Sequence, residues 1–172
     1  MPKPVEEIGY SVRGLANWIL DYSEKKGIAQ SNMSINKLVY FAVEHVLQKR
    51  RRLLTKAKIE AWNHGPVFRE LYQDFKKHGD DSITTRAETF SLESGRRERA
   101  EISLTSGDEA DIIEAIDDLL PLPACVLREL SHVRDGAWER VWSYVGHANP
   151  GMEITPELMI EAPTRRVSNE IR

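Results

Sequence analysis

The chain has 172 residues and a single cysteine, Cys125. No internal disulfide can form and no cysteine-based zinc site can be built, a pattern at home in a reducing cytoplasm. No apolar run approaches the roughly 20 residues that a membrane span needs. The opening "MPKPVEEIGYS" lacks the basic-then-apolar order of a secretory signal. Also missing are G-x-S-x-G, the P-loop and G-x-G-x-x-G, so acyl transfer and nucleotide-binding folds have no local support. Charge of one sign is scarce too: 24 basic against 27 acidic side chains leave a net −3, which argues against a dedicated nucleic-acid coat. The five histidines, His45, His64, His78, His132 and His147, show neither H-x-x-x-H nor H-x-H spacing. A zinc site would have to come wholly from tertiary contacts. The expectation is a cytoplasmic protein with no cofactor, no metal and no catalytic set.

What is present reads as one mostly helical domain with a small antiparallel β element, an α+β fold. Hydrophobic residues at 41% and charged residues at 30% are ordinary for a globular chain of this size. After an N-terminal arm (1–10), Val12, Leu15, Ala16, Ile19 and Leu20 predict a helix from Ser11 to Lys26, stopped by Gly27. "SNMSINKLVYFAVEHVLQKRRR" is the clearest helix: Ile35, Leu38, Val39, Ala42, Val43, Val46 and Leu47 form its apolar stripe behind a Ser34 cap. Its other side carries Asn36, Tyr40 and Glu44 one turn apart, beside Lys37, Phe41 and His45, which places this helix centrally with an aromatic second face. "KAKIEAW" alternates weakly as a strand. Pro66 fits the first position of a helix bearing Val67, Phe68, Leu71, Tyr72 and Phe75, ended by Gly79. "DSITTRAETF" and "AEISLT" flank a loop and suggest a ribbon. Ser106 and Glu109 match a capping box, and further helices are expected over 124–133, over Trp138 to Val145, and after a Thr155 cap. The domain is taken as 11–162, followed by a mobile tail, 163–172, too polar to offset its ordering entropy.

Three features invite a functional reading. In "EAWNHGPVFRELY" (60–72), His64 is a conceivable general base, yet no nucleophile neighbours it, and Gly65-Pro66 reads better as a rigid corner that presents Trp62 and His64. Cys125 reads as a small buried hydrophobe rather than a nucleophile. The run "QKRRRLLTKAK" holds Lys49, Arg50, Arg51, Arg52, Lys56 and Lys58, either a phosphate patch or cations that complement a helix C-terminus; the acidic total favours the second. Tyr40, Phe41, Trp62, Phe68 and Tyr72 are more aromatics than one small core requires, and large aromatics are what binding surfaces use.

"LANWILDYSEKKG", "SNMSINKLVYFA", "IEAWNHGPVFRELYQDFKKHG" and "LSHVRDGAWERVW" occur in the order found in the Panacea domain, also called the antitoxin SocA-like domain. The chain resembles that family over about residues 12–145, most specifically in N-K-L-V-Y-F-A (36–42) and E-A-W-x-x-G-P-V (60–67). It departs in having His64 where a tyrosine or other large residue is common, and Ala137 where proline usually precedes the tryptophan. The resemblance implies an antitoxin that neutralises a cognate toxin by direct protein binding. Partners of the family include alarmone-synthetase-like enzymes that shut down translation, and one member also delivers its toxin to a protease. No catalytic residue is implied. On this reading the toxin-binding candidates are Tyr40, Trp62, His64, Phe68 and Tyr72, with Asn36, Lys37 and Glu44 behind them. The competing readings are a DNA-binding regulator of its own operon using the 49–58 run, and a small hydrolase built around His64 or His132.

Overall fold

The longest helix, α2 (Asn32–Arg50), is buried along all but its last turn. The computed structural model describes residues 1–143 and 152–164, and the other elements pack around α2. Those touching it are α1 (Val12–Lys25), α3 (Arg69–Phe75), α4 (Ser106–Ile116), α5 (Ala124–Ser131) and α7 (Pro156–Glu161). The expected apolar stripe of α2 lies at the centre of the core with Leu15 and Ile19 of α1, Phe75 of α3 and Ile112 of α4. Two helix starts differ from expectation. Ser31, not Ser34, caps α2 by accepting the Ser34 N–H at 3.2 Å. Thr105 caps α4 by accepting the Asp108 N–H at 3.1 Å, so Ser106 is the first helical residue and the Ser106–Glu109 capping box does not form. Each segment offers two hydroxyls, and the outer one satisfies an orphan N–H while leaving more residues inside the helix.

The β component is small and divided. β1 (Glu6–Glu7) pairs in parallel with β2 (Arg52–Leu53), and the Ile8 and Tyr10 N–H groups donate to the Leu53 and Leu54 carbonyls, so the N-terminal arm is tied to the end of α2. β3 (Glu60–Trp62) is the middle strand of an antiparallel sheet between β4 (Gly65–Val67) and β7 (Met152–Glu153). β5 (Glu88–Ser91) and β6 (Arg96–Arg99) form a separate hairpin. Its base is held by one buried side chain: Asn17 donates to the Ala87 and Ala100 carbonyls (2.9 and 2.8 Å) and accepts the Ala87 N–H at 2.8 Å. The last helices are α6 (Ala137–Trp142) and α7, which Thr155 caps as expected. The expected Val145 turn, the break at 149–151 and the tail from 165 onward lie outside the described residues.

The corner is built differently from the sequence reading. Trp62 pairs with Gly65, so Asn63-His64 is the two-residue loop of a β-hairpin. Pro66 does not open a helix: it sits in β4 opposite Ala61, and α3 begins at Arg69 after an extended Phe68. The cause is α2. The Phe68 N–H donates to Asn36 Oδ1 at 3.0 Å, and the Lys37 amine donates to the Pro66 carbonyl at 2.9 Å. Two adjacent side chains thus hold the segment extended. Gly65 has φ +105°, and a Cβ there would lie 2.4 Å from Ser131 Oγ and 2.9 Å from Lys37 Cε.

The basic run is spent on ion pairs. Arg50 and Lys49 meet Asp111 at 3.0 and 3.1 Å, Lys49 also meets Glu114, and Arg52 meets the buried Asp108 at 2.9 Å and Glu6 at 2.6 Å. Lys56 reaches Glu7 at 2.9 Å and Lys58 reaches Glu60 at 3.8 Å. Arg52 locks α4 to the end of α2, because its loss would leave the buried Asp108 carboxylate with the Tyr10 hydroxyl as its main neutral partner.

Two substitutions test this account. Gly65→Val is expected to lower the unfolding free energy by about 2 kcal/mol or more, since left-handed backbone strain and steric overlap add. Arg52→Gln is expected to cost about 1–3 kcal/mol by uncovering Asp108. Urea denaturation of the two variants against the parent chain measures both, and His64→Ala, at an exposed loop position, serves as the control expected to melt unchanged.

Candidate protein-binding site

The β3–β4 hairpin, the start of α2 and the end of α3 enclose an open cavity of about 360 Å³. Its apolar wall is Trp62, Val67 and Tyr72; Asn36, Lys37 and His64 supply polar groups, and Lys76 and Asp80 stand with it. Trp62 and Tyr72 meet edge to face with centroids 4.9 Å apart and planes at 63°, a favourable aromatic geometry. Tyr72 is 38% exposed and Trp62 half-buried.

The aromatic pair is fixed from below. Glu60, 4% exposed, accepts from the Trp62 indole N–H at 2.8 Å and from Arg69 through Nε and Nη2 at 3.1 and 3.0 Å. Burial alone would raise the Glu60 pKa; the bonds from Arg69 and Trp62 outweigh it and hold the carboxyl below its ordinary value. The Arg69 guanidinium also lies over the Trp62 ring, 5.8 Å from its centroid. From the far side the Trp138 indole N–H donates to the Trp62 carbonyl at 2.8 Å. Trp138 in turn stacks on His132 at 3.7 Å and on Trp142 at 5.6 Å.

Of the eight candidates, Asn36, Lys37, Trp62, His64 and Tyr72 line this cavity. Tyr40, Phe68 and Glu44 do not, and the structure corrects their assignment as surface anchors. All three are buried: Tyr40 and Glu44 face inward and share a 2.5 Å hydrogen bond, and Phe68 fills the core beneath the corner. β4, α5 and α7 are among the elements that pack on α2. Asn36, though it lines the cavity, spends its amide on structure, donating to Asn32 and accepting from Phe68. Asn32 extends the ladder to the Tyr72 carbonyl at 3.2 Å.

Sequence reasoning missed Glu60, Arg69 and Arg128, and it named His132 only for the competing hydrolase reading. The first two sit within the quoted corner motif, where alternation with Trp62 could have paired them. The other two come from α5 and its end, some 64 residues on from His64, where no local signal reaches. Arg128 Nε donates to His64 Nδ1 at 3.1 Å, which places the ring's proton on Nε2. Desolvation, reinforced by the Arg128 charge, pushes the His132 imidazole down to about 4. Desolvation, with Arg128 again adding, pushes the Lys37 amine down to about 7.

Two comparisons with known proteins bear on this cavity. The family described as "Antitoxin SocA-like, Panacea domain" matches residues 35–139, a span that contains most of α2, the corner and α5. The chain belongs to this family. Within it, the chain is 32% identical over 131 residues to "Antitoxin SocA" of Caulobacter vibrioides (strain NA1000 / CB15N), covering 74% of this chain and 68% of that protein. No solved structure matches. The two strongest pieces of the Panacea resemblance, 36–42 and 60–67, are joined by the Lys37–Pro66 bond, and Asn36 bonds the next residue, Phe68.

Lys37 gives the cavity a pH signature. Its folded pKa lies below its unfolded value, so between about pH 7 and 10 the unfolded chain holds the extra proton and stability rises with pH. The groups facing it are Arg128 and, around the same corner, His64 and His132. Urea unfolding at pH 7 and pH 9 is expected to show a gain in the parent chain that largely disappears in Lys37→Met.

Proposed function

We propose that this antitoxin-family protein neutralises a cognate toxin by binding it directly, with the Trp62–Tyr72 cavity as the anchor of the interface. The observation that carries the proposal is the pre-positioned aromatic pair. Trp62 is held by Glu60, Arg69 and the Trp138 indole before any partner arrives, so little side-chain freedom is left to lose on association. A fixed, half-buried Trp and a partly exposed Tyr beside a concave polar floor are the residues and the shape that binding hot spots use. Membership in the antitoxin family supports a non-enzymatic role, and the cavity's titratable groups include no nucleophile beside a base. Occlusion of the toxin's working surface, or its capture in an inactive shape, would follow from such a complex. The translation-inhibiting, alarmone-synthetase-like enzymes implied by the resemblance are the first toxins to test.

The DNA-binding alternative has less to stand on. Lys49, Arg50, Arg52, Lys56 and Lys58 each face a carboxylate within the chain, and among the described residues Arg51 alone of the run has no acidic partner. The local field is therefore largely cancelled at the place where phosphates would need it.

Co-expression with the product of the neighbouring reading frame is expected to restore growth, and the two proteins are expected to co-purify. Trp62→Ala with Tyr72→Ala should weaken the complex by about a hundredfold or more, the loss of a hot-spot pair at about 2.7 kcal/mol. Restored growth with no complex by calorimetry would sink direct binding. A parent protein that binds its own promoter with steep salt dependence would favour the regulator instead.

A further inference from the structure

The corner between α2, the Asn63-His64 loop and α5 gathers basic groups and almost no acid. Lys37 is 1% exposed, and among the described residues its amine donates to the neutral carbonyl of Pro66 alone. Among the described residues no carboxylate lies against it. Arg128 stands nearby, bonded to His64, and its own counter-ion Glu129 is exposed to solvent. His132 Nε2 is buried and meets no hydrogen-bond partner. Asp80 is the acid among the cavity residues, and Lys76 accompanies it.

A buried amine without a counter-charge is costly. Holding a carbonyl does not require the charge, because a neutral amide donor would hold Pro66 as well. The unspent charge borders a cavity with apolar walls and an exposed imidazole N–H at its edge. A single buried charge walled by Trp62, Val67 and Tyr72 suits a singly charged group on a short methylene stem. A phosphate carries more charge than one buried amine matches, and the cavity's other lysine, Lys76, shares its lining with Asp80.

We propose that the cavity is a carboxylate-binding site, in which an aspartate or glutamate side chain of the bound toxin supplies the counter-charge that Lys37 lacks, with His64 Nε2–H as a second donor. The assignment rests on the toxin-binding reading and deepens it: the aromatic pair gives contact area, and Lys37 gives selectivity for an acidic anchor. Leaving either charge unpaired on mismatch is what makes such a pair discriminating.

The first test uses the free protein with acetate as probe. In ¹⁵N-labelled protein, acetate is expected to produce saturable shifts at the Gly65 amide and the Trp62 indole. Acetamide, and chloride at matched ionic strength, are expected not to. In lysine-labelled protein the Lys37 titration midpoint should rise when acetate is present. Lys37→Met should abolish the response, and His64→Gln, a loop substitution expected to leave the fold intact, should weaken it severalfold. Equal shifts with chloride would reduce the site to unselective ion binding and overturn the proposal. So would an unmoved Lys37 midpoint, a reading that does not depend on any variant folding.

The second test uses the complex with the neighbouring toxin. Lys37→Met is expected to lose about tenfold or more in affinity, as is replacement of one acidic toxin residue by its amide, with the two losses non-additive. A parent protein that binds toxin as well as Lys37→Met does overturns the carboxylate site and leaves the binding reading intact. A parent protein that takes acetate but no toxin overturns the binding reading, and the assigned occupant with it.

Discussion

Everything in this fold depends on burying α2 on all sides while it carries an asparagine, a lysine, a tyrosine and a glutamate. A helix ringed by other elements has no water to satisfy polar side chains, so each must find its partner inside the protein. Asn36 and Lys37 find theirs in the backbone of residues 66–68. That choice fixes the corner: Pro66 stays in a strand, α3 starts late, and the β3–β4 loop projects Trp62 beside Tyr72. The cavity is thus a by-product of how the central helix settles its own polar groups. Core and candidate site cannot be altered independently, because the same two side chains serve both.

The charge distribution follows the same logic at the other end of α2. The cations that gather at its C-terminus are met by Asp108, Asp111 and Glu114 on α4. A cluster that looks basic in one dimension is therefore nearly neutral in three. Around Lys37 the opposite holds: an unremarkable lysine in the sequence becomes a buried amine held by a carbonyl, its charged form disfavoured by burial. Formal charge along the chain says little about field strength until burial and partners are known.

The helices were legible because their apolar spacing is a local property. α1, α2, α4 and the Thr155-capped α7 stand where the sequence puts them, to within three residues at the caps. Pro66 was misread because a proline at a helix start and a proline in a short edge strand look alike locally. The deciding hydrogen bonds come from residues about thirty positions upstream. Tyr40 and Phe68 were misplaced for a related reason. An aromatic side chain announces contact area, not whether the contact is with the core or with a partner. Trp62 and His64 lie at the surface because they flank and form the tight turn of a hairpin, and Tyr72 lies beside them on α3, whereas Arg128 and His132 reach the cavity's edge only through tertiary packing.

The β5–β6 hairpin stands apart from this economy. It pairs with no other strand, and its tip carries Phe90 at 59% and Leu92 at 92% exposure. The flanking Ala87 and Ala100 are clamped together by Asn17, with the Ala100 N–H also donating to the Ala87 carbonyl. A loop whose two ends are stapled to one buried amide is insulated: changes in its length alter closure entropy only slowly and stop at the staple. The turn of the hairpin, residues 91–96, is therefore the part whose length is least coupled to the domain beneath, while Arg99 still ties the base to Asp21 of α1.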